Sequence, residues 1–344
     1  MSGAALDSRD LLNAVLDGRD LSETDAYSLM YALANAELND ATAGAILAGL
    51  RAKGETADEV RGFAMAMREL AITPNIPDGA PMVDTVGTGG DGSGSVNLST
   101  GTGLLAAAAG VRVVKHGNRS ISSKSGSADL LECLGMTLPL DEQAEVDCLE
   151  ALGFTFLFAP AHHPAMKAIM PVRQAMGVRT VFNMLGPLTN PAEPPFSLLG
   201  AWSIQAAELM ANALTGMAIE RVFVVHGEPG WDEATPVGEF VLFDVRDGMV
   251  TRTTRAPEDY GVARCQPDDL AGGDAAANAD ALQRVFAGED KGAHRDALLM
   301  GTSLVLEVCG HAKNAADGME MAAAAIDDGS AQTLIENLQA HFSS

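Results

Sequence analysis

The sequence is poor in aromatic residues and cysteine, and it lacks long apolar runs. Aromatic residues make up 5% of the 344 residues, and the four cysteines include no C-x-x-C pair. A disulfide framework or a cysteine metal site is therefore not predicted, and the cysteines are interpreted as small core residues. No apolar run is long enough to span a membrane, and residues 1–10 have no apolar segment typical of a secretion signal. A reduced, cytoplasmic, soluble protein without a membrane partner is expected.

Positive charge is also scarce. The chain has 22 Lys and Arg against 46 Asp and Glu, which gives a formal net charge of −24 at pH 7. Such a chain repels a phosphate backbone, so a nucleic-acid partner is not expected. An anionic substrate would need a local positive site that works against the field of the whole protein. The acids themselves are interpreted as spread over solvated helix faces.

The pattern of apolar residues divides the chain into a helical part and an α/β part. Up to residue 73 the apolar residues recur at helical spacing. Thr56 with Glu59 matches a capping box, and Ser22 with Asp25 resembles one. Two prolines and a glycine in residues 74–79 end the helical part. Strands and helices then alternate, which predicts an α/β domain with a mostly parallel sheet.

The expected strands cover residues 82–86, 111–115, 154–158, 196–201 and 221–226, followed by a hairpin at Asp247-Gly248. A helical stretch at 164–176 and an irregular one at 185–195 interrupt this pattern. We expect them to return to the first part of the chain. The predicted small helical domain is then residues 1–73 with about 164–192, and the large α/β domain is residues 74–163 with 193–344.

A glycine-rich loop follows the first predicted strand. It has five glycines between residues 87 and 94, and a helix begins near Ser99 and Thr100. Backbone without Cβ atoms can turn tightly and present several N–H groups to one anion, and the helix N-terminus adds its dipole. The loop predicts a phosphate or pyrophosphate site, with a flexible turn as the alternative. Asp91 would face a hydroxyl or a metal-bound water there, or else cap the turn.

A second polar segment follows the next predicted strand. Residues 115–127 hold three of the 22 basic residues, five serines and two glycines, with one apolar residue between Lys115 and Ser127. A core has no use for such a segment, and a plain surface loop would not need it at the end of a strand. It is interpreted as a mobile anion-binding loop that closes over a substrate.

Four segments of the chain carry motifs in a fixed order. Residues 83–100 hold GTGGDG followed by N-x-ST, and residues 115–132 hold KHGNR followed by KSGSAD and LE. Residues 163–191 hold HPAMK, PVR and RTVFNMLGPLTNP, and the acidic pair Asp232-Glu233 comes last. Together these segments resemble the signature motifs of the anthranilate phosphoribosyltransferase family. The resemblance extends from about residue 43 to residue 280, and more loosely to the C-terminus.

The resemblance implies a fold, a reaction and an assembly. The family has a small helical domain and a large α/β domain, with the active site in the cleft between them, and it forms a homodimer through the small domain. Its Mg²⁺-dependent enzymes join anthranilate to phosphoribosyl pyrophosphate (PRPP) in tryptophan biosynthesis, displacing pyrophosphate from C1 with the anthranilate amine. An aryl amine is already neutral at pH 7. No catalytic base is therefore expected, and positioning with leaving-group stabilisation would suffice.

The resemblance also assigns residues to the two substrates and the metal. The PRPP residues would be Gly87, Gly90, Asp91, Ser95, Asn97, Ser99, Thr100, Lys115, Asn118, Ser123 and Ser127. The anthranilate residues would be Gly87, His116, Asn118, His163 and Arg173. The Mg²⁺ ligands would be Ser99, Asp232 and Glu233. Hard carboxylate oxygens suit that ion.

Three places depart from the family's usual residues. Gly101 and Gly103 stand where alanine is more common, and each is expected to weaken its helix by about 1 kcal/mol. Trp231 replaces a smaller residue, and residues 298–302 replace a stretch rich in Asn and Ala. None of these changes removes a proposed site residue.

Two other functions remain open at this point. A pyrimidine nucleoside phosphorylase shares the architecture and the glycine loop, but it leaves HGNR and the Asp232-Glu233 pair unexplained. A noncatalytic nucleic-acid-binding member of the family would have a basic surface and a lost pyrophosphate loop, whereas this chain is acidic and its loop is intact.

Overall fold

The chain begins with a bundle of four helices. The computed structural model describes residues 7–77, 79–120 and 124–343. The first helices are α1 (Ser8–Leu16), α2 (Glu23–Ala34), α3 (Asp40–Lys53) and α4 (Ala57–Glu69). The predicted caps are confirmed: Thr56 and Glu59 form a capping box, and Ser22 accepts the N–H of Asp25. Gly54 ends α3 with a φ of 88°.

Strands and helices alternate after residue 79. The strands are β1 (Met82–Gly87), β2 (Arg112–Gly117), β3 (Phe154–Phe158), β4 (Phe196–Gly200), β5 (Arg221–Gly227), β6 (Phe240–Arg246) and β7 (Met249–Arg255). The helices up to β5 are α5 (Leu98–Ala108), α6 (Ser127–Cys133), α7 (Glu142–Leu152), α8 (Ala159–His162), α9 (Met166–Met176), α10 (Phe182–Leu188) and α11 (Ile204–Leu214). The C-terminal helices are α12 (Ala275–Phe286), α13 (Ala293–Val308), α14 (Ala315–Asp327) and α15 (Ser330–Phe342). Two 3₁₀ turns, Pro257–Tyr260 and Pro267–Leu270, follow β7.

Within the described residues the seven strands form one sheet in the order β3-β2-β1-β4-β5-β6-β7. β1 to β5 run parallel, and β6 and β7 form the predicted hairpin, with Asp247 and Gly248 both at positive φ. The chain leaves β1 towards β2 and later returns to β4 on the other side of β1. Open α/β sheets bind ligands at the carboxyl ends of strands beside such a reversal.

The sheet lies between two apolar layers. Val113 and Phe156 face α5 and the C-terminal helices, whereas Leu199 and Val224 face α11 and the helical bundle. Successive residues of a strand point to opposite faces, so each strand contributes to both layers. The predicted fold class, a small helical unit beside a large α/β unit with a mostly parallel sheet, is confirmed.

The chain returns to the helical bundle through α9 and α10. Ile169 and Val172 of α9 join the apolar layer of α2 and α3, and Arg51 of α3 donates to the carbonyl of Arg179 at 2.7 Å. These contacts support the discontinuous helical domain, whose boundaries stay a prediction.

Residues 185–195 are not irregular throughout, because α10 extends to Leu188. The Thr180 N–H bonds Asn183 Oδ1 at 2.9 Å and starts the turn. Pro187 is the penultimate residue of α10. A proline at this position still allows the helix to form before it, and the helix ends one residue later.

The unusual glycines of α5 allow close packing. A Cβ on Gly101 would lie 2.7 Å from Leu298 Cδ2, and one on Gly103 would lie 2.8 Å from Thr85 Oγ1. From the facing helix α13, a Cβ on Gly301 would overlap Thr102 Oγ1. Glycine lowers helix propensity, but here it lets α5 lie directly against both α13 and the sheet. Two of the three departures in the sequence therefore belong to one helix crossing.

The cysteines follow their prediction in part. Cys148 is buried, but Cys133, in the last turn of α6, is exposed, so its interpretation as a core residue was wrong. The helical pattern of α6 did not reveal which of its sides faces solvent. All four cysteines are free. Among the residues described, no helix is long and apolar enough to cross a membrane.

Candidate active site

The first half of the glycine loop wraps around an acid. Gly89 and Gly90 have φ values of 67° and 69°, which favour glycine. A Cβ on Gly87 would overlap the Asp232 carboxylate, which accepts the N–H of Gly89 at 2.6 Å. The loop at the end of β1 is thus built around the segment that follows β5.

The second half of the loop is held by backbone pairing. Val96 donates to the carbonyl of Leu270 at 3.1 Å, and Gly272 donates to that of Gly94 at 2.8 Å. Ser95 forms a bridge with Ala271, and its Oγ lies 3.2 Å from Ser93 Oγ. This short antiparallel pairing fixes the loop just before Asn97, and no sequence motif indicated it.

Three acids meet beside the loop. Asp91 Oδ1 accepts the N–H of Ser93 at 3.1 Å, and its Oδ2 accepts the N–H of Asp232 at 3.3 Å. Asp91 therefore caps its turn, as one interpretation of the sequence expected, and also contacts the acidic pair. Burial and the charge of Asp91 raise the pKa of Asp232 to about 7. Burial and the charge of Asp232 raise the pKa of Glu233 well above its usual value.

One buried lysine lies against this acidic group. Lys115 of β2 is 1% exposed, and its Nζ donates to the carbonyl of Thr85 and to Ser99 Oγ, the latter at 3.4 Å. Burial lowers the pKa of Lys115, although the charges of Asp84 and Glu233 oppose that shift. Burial raises the pKa of Asp84 to about 6 in spite of Lys115. The carboxylates outnumber the one buried cation here, so a further positive charge would be stabilised at this site.

The donor set fits a magnesium ion that shares its ligands with a substrate. Asp232 and Glu233 offer hard oxygens, and burial together with the neighbouring carboxylates raises the pKa of each, so a bound cation would be favourable beside them. Within the described residues, no group of three or more His, Cys, Asp or Glu side chains is arranged to hold a metal alone. Mg²⁺ is typically bound by one or two carboxylates with water and phosphate oxygens, which agrees with that finding.

The first turn of α5 supplies hydroxyl groups next to the loop. The Ser99 carbonyl accepts Thr85 Oγ1 at 3.0 Å, which ties the helix to β1. Thr100 is buried, and its Oγ1 has no hydrogen-bond partner in the described part of the chain. The first turn of α5 therefore carries the hydroxyl groups of Ser99 and Thr100 next to the loop where a phosphate was expected.

Hydrogen bonds join the two ends of the basic loop, residues 115–127, in a narrow neck. The Asn118 carbonyl accepts Ser127 Oγ at 3.1 Å, and Asp129 accepts the N–H groups of Ser120 at 3.1 Å and Gly126 at 2.8 Å. Asn118 and Ser127, both predicted PRPP contacts, thus lie next to each other, and their role in binding stays a prediction. Ser123, the remaining predicted contact of this loop, lies outside the described residues. Asp129 was not among the predicted site residues, although its position in the KSGSAD motif could have indicated it.

Two neutral histidines form the other side of the site. The rings of His116 and His163 meet edge to face at 5.1 Å between centroids, and neither Nε2 has a described hydrogen-bond partner. Burial lowers the pKa of His116 to about 3, helped by His163, and burial lowers the pKa of His163 to about 4. By contrast, burial lowers the pKa of His162, but its bonds to Glu145 and to the carbonyl of Ile72, each at 2.7 Å, together raise that pKa above its usual value. His162 is therefore structural.

Arg173 packs against Phe182 of α10, the helix whose Gly186 carbonyl contacts His116. Its guanidinium stacks over Phe182 at 5.1 Å and donates to Met170 Sδ at 3.8 Å, and burial lowers its pKa. Among the described residues, no carboxylate pairs with it within 4.0 Å. A partly buried cation without an anion is costly unless a ligand supplies one.

Strand β2 joins the two sides of the site. Lys115 points towards α5 and the glycine loop, and its neighbour His116 points the other way, to the carbonyl of Gly186 at 3.2 Å and to His163. One strand thus presents an ammonium group to one side of the site and an imidazole ring to the other, in successive residues.

Several residues that shape the site were not predicted from the sequence. Asp84 accepts the N–H of His116 at 3.2 Å and Asn190 Nδ2 at 2.9 Å, which ties β1 to the end of β2 and to the segment after α10. Arg179 stacks over Trp202 at 4.8 Å and donates to the carbonyl of Gly90. Arg179 and Asn190 lie inside the quoted motifs, and Asp84 lies three residues before GTGGDG in the segment 83–100.

Comparison with known proteins agrees with this geometry. Residues 9–71 match the model of a glycosyl transferase family helical bundle domain, and residues 79–332 match the model of the a/b domain of that family. A protein of Solibacter usitatus named anthranilate phosphoribosyltransferase is 46% identical over 329 residues, covering 95% of this chain and 96% of that protein. One of the same name from Rubrobacter xylanophilus is 40% identical, covering 95% of each. The chain belongs to the anthranilate phosphoribosyltransferase family.

Solved structures of anthranilate phosphoribosyltransferases share the fold. The crystal structure from Thermus thermophilus has a TM-score of 0.90 at 40% identity, over 97% of this chain and all of that one. The enzyme from Saccharomyces cerevisiae in complex with PRPP and Mg has a TM-score of 0.88 at 25% identity, over 99% of both chains. The predicted family is therefore confirmed, and the similarity covers more of the chain than the motifs alone indicated.

Proposed function

We propose that this anthranilate phosphoribosyltransferase family member transfers the phosphoribosyl group of PRPP to the amine of anthranilate. The products are N-(5-phosphoribosyl)anthranilate and pyrophosphate, a step of tryptophan biosynthesis. The observation that carries the proposal is the placement of Lys115 and His116. They stand next to each other on β2, one bonding Ser99 beside the glycine loop and the other contacting His163 and the carbonyl of Gly186 on α10.

The donor side is the part of the site that would bind PRPP. It comprises the glycine loop at 87–97, the first turn of α5, Lys115, and the acids Asp91, Asp232 and Glu233. Backbone N–H groups and the α5 terminus suit phosphate oxygens, and Lys115 adds a charge. The proposed contacts are those predicted above, with Asn118 and Ser127 at the neck of the basic loop.

Mg²⁺ would be held by Asp232 and Glu233, with Ser99 Oγ nearby. The yeast relative is described as a complex with PRPP and Mg. When bound, the ion would neutralise the leaving pyrophosphate, which is the main electrostatic demand of the reaction.

The acceptor side comprises His116, His163 and Arg173, with Gly87 and Asn118 at its border. A guanidinium fork matches a planar carboxylate, and the unpaired Arg173 offers that contact. The two histidines stay neutral because burial lowers the pKa of each, so they can line an aromatic ring without repelling it or protonating its amine.

The reaction needs positioning more than proton transfer. The amine nitrogen forms a bond to C1 of the ribose while the bond from C1 to the pyrophosphate oxygen breaks, and the nitrogen releases one proton. The residues of β2 hold the two reactants on opposite sides of one strand end, which brings amine and C1 together. No residue is assigned as a catalytic base.

An anthranilate fluorescence assay tests the proposal. Purified protein with PRPP and Mg²⁺ is expected to deplete anthranilate fluorescence, with depletion dependent on both additions. Depletion that proceeds equally without PRPP, or no depletion with all components, would reject the proposed reaction. Replacing anthranilate with thymine and PRPP with ribose 1-phosphate tests the nucleoside phosphorylase alternative.

We also propose a homodimer formed through the helical bundle, in a cytoplasmic setting. Leu16 is 67% exposed and Met65 is 40% exposed, although both lie on helices of this small unit. Exposed apolar side chains on one unit favour an interface with a second copy. Light scattering should give twice the chain mass, and a monomer across micromolar concentrations would contradict the dimer. The four free cysteines suit a reducing compartment.

A further inference from the structure

A chain of hydrogen bonds connects the start of α12 with the glycine loop. The N–H of Gly273 donates to Asn278 Oδ1 at 2.7 Å, and Asn278 Nδ2 donates to Asn97 Oδ1 at 2.9 Å. Asn97 Nδ2 donates to the Ser125 carbonyl at 3.1 Å, and Ser125 Oγ donates back to Asn97 Oδ1 at 3.0 Å. Asn278 is 3% exposed, so water does not compete for its bonds.

The groups at the two ends of this hydrogen-bond network fix which atoms donate and which accept. The oxygen and nitrogen of an asparagine amide have nearly the same shape, so their orientation follows from their partners. The Gly273 N–H can only donate, which turns the oxygen of Asn278 towards it and the nitrogen towards Asn97. The Ser125 carbonyl can only accept, which turns the nitrogen of Asn97 towards it. Both ends of the chain therefore require the same orientation of Asn97.

This orientation makes Asn97 a donor to the site. Its oxygen already accepts two hydrogen bonds, whereas its nitrogen donates one to the described protein groups and keeps one N–H. An N–H attracts a phosphate oxygen, and the lone pairs of a flipped amide would repel it. We propose that Asn278 is a positioning residue that holds Asn97 as a donor and thereby makes this end of the loop accept phosphate. The inference rests on the proposed function, because it takes PRPP as the ligand.

Two substitutions of Asn278 separate orientation from packing. Asn278→Asp keeps the shape, but its carboxylate accepts from both Gly273 and Asn97, and so draws the nitrogen of Asn97 away from the site. Asn278→Ala leaves both Ser125 bonds to Asn97 in place. In calorimetry with Mg²⁺, PRPP binding should weaken about tenfold or more in Asn278→Asp and about threefold in Asn278→Ala. A packing role predicts the reverse order, because alanine leaves a cavity.

A double-mutant cycle separates orientation from added charge. The effect acts through Asn97, so Asn278→Asp in an Asn97→Ala background should change PRPP binding by less than about twofold. Equal losses in both backgrounds would mean that charge alone weakens binding, and would overturn the proposal. Asn278→Ala completes the same cycle without a charge, which keeps the test decisive if Asn278→Asp fails to fold. Gln283→Glu, which adds the same charge elsewhere on α12, should bind PRPP as the wild type does.

The outcomes distinguish this inference from the proposed function. Wild-type protein that binds no PRPP overturns the proposed function and the inference together. Wild-type protein that binds PRPP, with Asn278→Asp binding it equally well, overturns the inference alone.

Discussion

The donor side and the acceptor side of the site differ in how fully their polar groups are paired. On the donor side, the glycine loop, Lys115 and Asp232 bond one another or the neighbouring backbone. On the acceptor side, His116 and His163 each leave Nε2 without a described partner, and Arg173 has no carboxylate. The donor side is mostly braced by hydrogen bonds before any ligand arrives, with Thr100 Oγ1 and one N–H of Asn97 left over in the described part of the chain, whereas the acceptor side has its main polar groups unpaired there.

This difference suggests how each substrate would be selected. A diphosphate needs many donors and a cation, which a braced loop can present without rearrangement. Anthranilate is small and flat, so one guanidinium group that binds its carboxylate and two neutral histidine rings that pack against its ring are enough. Removing the acids of the donor side should therefore affect turnover most. Substitutions that displace its loop or α5 should weaken PRPP binding, and substitutions on the acceptor side should weaken anthranilate binding.

The largest effect is expected from removing the acids. Asp232→Asn with Glu233→Gln should lower kcat about a hundredfold or more, because the leaving pyrophosphate loses its neutralising ion. Turnover is measured with PRPP, anthranilate and a Mg²⁺ series. Glu239→Gln, an exposed change of the same type, should keep normal turnover. Full activity of the double variant in EDTA would disprove the metal role.

Arg173→Ala should act on the acceptor side alone. Losing a charge-assisted contact corresponds to roughly 1.5–3 kcal/mol, so KM for anthranilate should rise about ten- to a hundredfold. KM for PRPP should change little, and Arg173→Lys should rescue only in part because an ammonium has no fork.

The exposed Arg246→Ala serves as the matched control and should leave both KM values unchanged. An unchanged KM for anthranilate in Arg173→Ala would remove Arg173 from the acceptor side.

Gly301→Ala should disturb the donor side through packing. The new methyl group would overlap Thr102, which pushes α5 away from α13 and lowers the free energy of unfolding by about 1–3 kcal/mol. Because α5 begins at the phosphate site, KM for PRPP should rise severalfold while KM for anthranilate stays constant. Thr102→Ala in the same chain should restore stability. If the double variant is no better than Gly301→Ala, the crossing is not the cause.

The smallest effect concerns the buried histidines and pH. The pKa of His163 is about 4 in the folded chain and about 6.5 when unfolded, so the unfolded chain binds more protons between those values. The free energy of unfolding therefore carries no penalty from His163 above pH 6.5, and it decreases as the pH falls from 6.5 towards 4. Between pH 7.5 and pH 5, the free energy of unfolding of His163→Leu should therefore fall by about 2 kcal/mol less than that of the wild type.

Urea unfolding at the two pH values measures that difference. The exposed His311→Leu should follow the wild type at both. An identical pH dependence for His163→Leu and the wild type would show that His163 is not held neutral by burial.

The parts of the fold that the sequence predicted are those encoded locally. The strands, whose ends were predicted to within two residues, the capping box at Thr56 and the glycine loop each occupy a short run of residues, and so does the turn at Asp247-Gly248. The same holds for most of the proposed site, because its residues cluster in four motifs. The exact start of α9 and the helical end of α10 depend on packing against the bundle, and the pattern missed them.

The connections within the site could not be predicted in this way. Asp84 bonds Asn190 across 106 positions of the chain, and Asn97 bonds Asn278 across 181. Nothing in the composition of either neighbourhood indicates its partner. The unpaired state of Arg173 was equally hidden, since an arginine on a helix usually finds a surface acid. These features follow only from the way the strands bring distant segments together.

The alternation of Lys115 and His116 on β2 limits how this gene can change length. β2 is paired on both sides, with Val113 opposite Val83 of β1 and opposite Phe154 of β3. Inserting or deleting a single codon between that pairing and the strand end would turn the imidazole towards the phosphates and the ammonium towards the aromatic ring. Point substitutions can be tolerated gradually there, whereas a one-residue insertion would exchange the two substrate sides at once. Length variation among descendants of this gene should therefore accumulate in the segments between the strands and spare β2.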